Sequence, residues 1–163
     1  MPEEESIART RMNYNGNFSL KDYYNFLYDV CSSLGYDVIE KECKQSSSSF
    51  EFEWSNEKKV DDFTMFVIKI KTRATDLKKG VKVENDIMDQ GKIEFTIQAV
   101  LKTDYEAKWE MNPMLKFIKG IYERYIYRPT YETWAGKIKE EMNDVLNEVK
   151  SFFHIEKVRP GVE

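Results

Sequence analysis

The sequence predicts an α+β domain: a curved antiparallel sheet of five to six strands on a long C-terminal helix, with one helix near the N-terminus. Three observations predict it. In residues 92–113, KIEFTIQAVLKTDYEAKWEMNP, every second position from Ile93 to Trp109 can face one side, while Glu94, Thr96, Gln98, Lys102, Asp104, Glu106 and Lys108 can face water. Trp134, Ile138, Met142, Val145, Leu146, Val149 and Phe152 form a long apolar stripe at helical spacing. Strand-like segments between the helices are joined by short polar turns, which favour an antiparallel meander with one apolar face in need of a cover.

Taken in order, residues 1–6 read as a loose acidic tail and 7–14, IARTRMNY, as a moderate strand ending at the turn signal Asn15-Gly16-Asn17. A helix over 20–34 follows, with Ser19 as cap, Asp22 as the capping acid and Phe18 with Tyr23 as hydrophobic staple. Leu20, Tyr23, Tyr24, Leu27, Val30, Cys31 and Leu34 supply its apolar spacing, and Gly35 sits where a left-handed C-terminal residue is wanted. Tyr36–Lys44 is extended, Ser46–Ser49 is a connector, and Phe50-Glu51-Phe52-Glu53-Trp54 alternates strictly. NEKKVDD turns the chain into a strand over 63–72. Thr75–Gly80 is a second turn, Val81–Val83 a short strand, and the segment with Asp86, Asp89 and Gly91 a loop. Fully extended, residues 93–109 would reach about 56 Å, so the last strand bends or breaks near Thr103-Asp104.

Asn112 caps the next helix, with Pro113 at its first position and Leu115, Ile118, Tyr122 and Tyr125 on one stripe. Arg128-Pro129 interrupts it, Thr130 caps a final helix of about 35 Å, and residues 156–163 form a second loose tail on this single domain.

Composition narrows the function. Hydrophobic residues make up 41% and charged residues 33%, the balance of an ordinary globular chain. A net charge of −4 with both signs interspersed disfavours a nucleic-acid partner, although a local basic patch survives such averaging. No run of about 20 apolar residues suits a transmembrane segment, and MPEEESIARTR lacks the pattern of a secretory signal, so cytoplasmic residence is the expectation. Cys31 and Cys43 read as small apolar fillers in a reducing compartment.

Catalytic chemistry finds little support. The one histidine, His154, reads as a residue just after the last helix, where a proton suits the dipole. The stretch Glu84–Gly91 collects oxygen ligands, but Ile87 and Met88 break the alternation that a calcium loop needs; it reads as a solvated turn, and so does Asp61-Asp62. Alternation puts Glu51, Glu53, Glu94 and Glu106 on the outer face, away from any cleft. Phosphate-loop, nucleophile-elbow and dinucleotide motifs are missing, so no catalytic residue, metal site or cofactor is expected.

The most distinctive stretch is KFIKGIYERYIYRPTYETW, residues 116–134. Its mixture of aromatic and basic side chains suits a protein hot spot, a nucleobase stack or a membrane surface, and equally a core elbow between helices. Lys116, Lys119, Arg124, Tyr127, Arg128 and Tyr131 are the candidate partner-binding residues. The leading expectation is a non-catalytic binding or assembly module that offers this surface to a macromolecular partner, foremost a protein, with peripheral membrane contact as a further option.

The phrases MNYNGNFSLKDYYNFLYD and MNPMLKFIKGIYERYI resemble segments of small uncharacterised archaeal proteins, a likeness that spans most of the chain and implies no activity. The element order is similar to the helix-grip fold of START and Bet v 1-like proteins. It differs in having one N-terminal helix for the usual two, no glycine-rich loop and an additional helix before the last. That resemblance implies a carrier of an apolar small molecule or lipid as the alternative function. Its cavity of several hundred Å³ would be lined by Phe52, Trp54, Phe66, Ile68, Phe95, Ile97 and Met142.

Overall fold

The computed structural model describes residues 3–61, 63–83, 86–103, 113–121 and 128–157; the side chains of 3, 79–83, 86–88, 119–120, 128 and 154–157 lie outside the description. The elements run β1 (Glu3–Phe18), α1 (Leu20–Ser33), β2 (Asp37–Gln45), β3 (Phe50–Lys59), β4 (Thr64–Val83), β5 (Asp86–Thr103), α2 (Pro113–Ile121) and α3 (Arg128–Lys157). The described strands form a single five-stranded sheet in the order β1-β5-β4-β3-β2, every neighbouring pair antiparallel. The domain is α+β, and α3 packs across one face of the sheet.

Alternation decides which face. Phe52 and Trp54 of β3, Phe66, Ile68, Ile70 and Ala74 of β4, and Ile93, Phe95, Ile97, Ala99 and Leu101 of β5 turn inward and are buried. On α3, Ile138, Met142, Val145, Leu146, Val149 and Phe153 meet them. Aromatic contacts fix both ends of the helix. The Trp134 ring lies 5.6 Å from that of Phe66, while Phe153 stacks at 4.5 Å on Tyr14 and lies 5.2 Å from Tyr23. The sheet-facing ring is thus Phe153; Phe152, read from the sequence as the end of the stripe, turns toward α1 and stacks on Phe26 at 5.0 Å.

The helix α1 starts as its sequence requires. Ser19 accepts a hydrogen bond from the Asp22 amide at 3.2 Å, and the carboxylate of Asp89 in β5 takes the Leu20 amide at 3.0 Å. Two orphan donors are therefore satisfied, one locally and one by the sheet. At the other end Gly35 has φ +90°, and the Tyr36 amide reaches back to the Cys31 carbonyl at 3.2 Å.

The strands are fewer and longer than the turn residues suggest. Glu4, Glu5 and Ser6 are not a tail but rungs opposite Lys102, Leu101 and Val100. The Asn15-Gly16-Asn17 signal is likewise paired with Lys92, Gly91 and Gln90, because β5 supplies the hydrogen bonds that a turn would otherwise make for itself. NEKKVDD stays in β3 as far as Lys59. Residues 75–80 remain within β4; register shifts between Thr75 and Lys78 and between Lys78 and Val81, with Asp76 at φ +53°, absorb the local irregularity as bulges. Val81–Val83 is consequently the end of β4 and no separate strand, and Asp86–Gly91 opens β5. The break expected near Thr103-Asp104 falls at the limit of the described part of β5, and residues 104–112 lie outside the described residues. The final helix begins at Arg128 with Pro129 in its first turn, where a missing amide hydrogen costs nothing, so Thr130 is inside it; His154 and Glu156-Lys157 also belong to α3.

Two outcomes follow. A Cβ at Gly91 would meet the Thr75 carbonyl oxygen at 2.8 Å and the Leu77 side chain at 3.0 Å, so Gly91→Ala should lower unfolding free energy by about 1–3 kcal/mol in urea titration. Burial raises the Tyr23 and Tyr36 phenols well above their ordinary 10.0 and pushes the Cys31 thiol up from 9.0 to about 12. Neutral forms are favoured in the fold, so their stabilisation is complete below the ordinary values and declines as pH rises from there toward the folded ones. Stability measured against pH should therefore fall from about pH 9 upward.

Candidate functional site

Two places bring chemistry-bearing side chains together: a polar cluster beneath α3 and the solvent face of α2. The cluster begins with alternation in β3, which turns Asn56 and Lys58 inward beyond Phe52 and Trp54. Helical spacing on α3 places Glu141 between Ile138 and Val145, inside the apolar stripe. Lys58 Nζ donates to Glu141 Oε1 at 2.7 Å and to the Leu34 carbonyl at 3.0 Å, while the Tyr36 hydroxyl donates to the same carboxylate oxygen at 2.8 Å. The ammonium also lies 4.7 Å from the centroid of the Tyr36 ring. Burial is the first cause of the raised Tyr36 phenol and the Glu141 hydrogen bond the second.

This arrangement is structural. One carboxylate oxygen receives both donors, the phenol is held in its neutral form, and the ammonium caps the C-terminal carbonyls of α1. Asn56 Nδ2 donates to the Ile68 carbonyl at 3.1 Å, and its buried Oδ1 has no protein partner among the described residues. No group of three or more His, Cys, Asp or Glu suited to a metal occurs among the described residues.

The second place is α2. Taking about 100° per residue, Met114, Phe117, Ile118 and Ile121 share a stripe roughly 100° wide, with Lys116 opposite. The stripe faces solvent: Met114 is 73% exposed, Phe117 70%, Ile118 41% and Ile121 43%. Leu115 alone among the helix's large apolar residues is half-buried. The nine residues hold no acid.

Of the candidate partner-binding residues, Lys116 is exposed on α2, and Lys119 is on the same helix with its side chain outside the described residues. Arg124 and Tyr127 lie outside the described residues, and so does the Arg128 side chain at the start of α3. Tyr131 is half-buried on α3 and donates its hydroxyl to the Glu5 carboxylate. Sequence reasoning missed Met114, Phe117 and Ile121. Five of nine α2 residues are large and apolar, more than one buried stripe can use, and that excess was the available signal.

The seven candidate cavity residues, Phe52, Trp54, Phe66, Ile68, Phe95, Ile97 and Met142, keep at most 2% of their surface. They line none of the described grooves. One, of about 560 Å³, lies between β1 and α3 against Met12, Tyr14, Lys150 and Phe153; another, of about 580 Å³, lies between α1 and α3 against Leu34, Asp144 and Glu148. No helix among the described residues is long and apolar enough to cross a membrane. No family model and no curated relative matches the chain.

The polar cluster makes a definite prediction. Both side chains of the Lys58–Glu141 pair are largely buried, so Glu141→Leu alone should cost about 3 kcal/mol by stranding the ammonium. The double variant Lys58→Met/Glu141→Leu should cost less than the two single changes together; a urea double-mutant cycle measures the difference.

Proposed function

We propose that the chain is a non-catalytic interaction module of the cytoplasm that docks onto a larger partner through the exposed face of α2, which overlaps the basic and aromatic stretch 116–134 in sequence. The carrying observation is the apolar stripe Met114–Phe117–Ile118–Ile121, left open to water on a helix without acids. Exposed apolar side chains scattered singly are ordinary; four in one helical stripe mark a contact surface. Lys116, exposed on the other side of the same helix, supports the basic part of the reading.

The fold in this reading is helix-grip-like. Support comes from β1 lying beside β5, β2 at the far edge and α3 across the inner face. The same interior does not favour the carrier alternative. A void large enough for a lipid would leave accessible surface on its lining, and the seven side chains that would line it retain almost none.

Affinity capture from native extract tests the module. Phe117→Gln with Ile121→Gln should keep the circular dichroism spectrum and urea midpoint of the parent while losing the partner the parent retains. Equal capture by parent and variant would remove the proposal.

A further inference from the structure

We draw no further inference here: the strongest candidate, the groove of about 560 Å³ between β1 and α3, carries nothing because its lining residues Asn13, Asn147, Lys150 and Ser151 are all exposed and nothing in the structure shows what covers it.

Discussion

The inner face of the sheet and the stripe of α3 are each untenable in water alone, and this mutual need fixes the rest of the architecture. The sheet brings Phe52, Trp54, Phe66, Phe95 and the aliphatic residues between them to one surface. Fully burying one such side chain contributes roughly 1.5–3 kcal/mol, so α3 cannot leave without forfeiting many of these contributions at once. Its position is set at both ends by rings: Trp134 against Phe66, Phe153 among Tyr14, Phe18 and Tyr23. In the middle Glu141 draws Lys58 and Tyr36 to the same helix, and through the Leu34 carbonyl ties in the end of α1. Apolar burial supplies the attraction; the polar cluster restricts α3 to one register along the sheet.

An open sheet has two edges, and here both are interrupted. Register shifts occur between Ser6 and Ala8 in β1 and between Glu40 and Glu42 in β2. β2 is mostly exposed and carries Asp37, Glu40, Lys41, Glu42 and Lys44. Bulges and charges on an edge discourage another strand from adding to it. The outer face is similarly guarded by exposed pairs such as Arg11 with Glu94 and Arg73 with Glu51, which contribute little stability but keep the surface polar. Sheet edges and outer face thus discourage association.

Periodicity was legible in the sequence wherever one face of an element is buried. The bounds of α1, the inward set of β5 and the long apolar run of α3 follow from residue spacing because solvent and core impose opposite demands on alternate positions. Turn chemistry misled where long-range pairing took over. Asn15-Gly16-Asn17 and Thr75–Gly80 carry residues that bend an isolated chain, yet β5 pairs with both flanking strands and holds them extended. Local preferences of this size are outweighed by a continuous ladder, leaving bulges where a turn was expected. The exposed stripe of α2 was only partly legible. Leu115, Ile118, Tyr122 and Tyr125 read as one stripe, but Tyr122 and Tyr125 lie outside the described residues, and Ile118 proves to face solvent with Met114, Phe117 and Ile121. Spacing identifies residues that share a face; which face meets the core depends on how the helix is set against the remainder of the fold.

The filled interior and the open helix are two sides of one constraint. The described core side chains that retain almost no accessible surface leave no room between them for a guest unless α3 moves, and α3 is restrained by two aromatic anchors and a largely buried ion pair. Exposed apolar area is unfavourable in water, and α2 concentrates it in one stripe, with the exposed Lys116 on the other side of the helix.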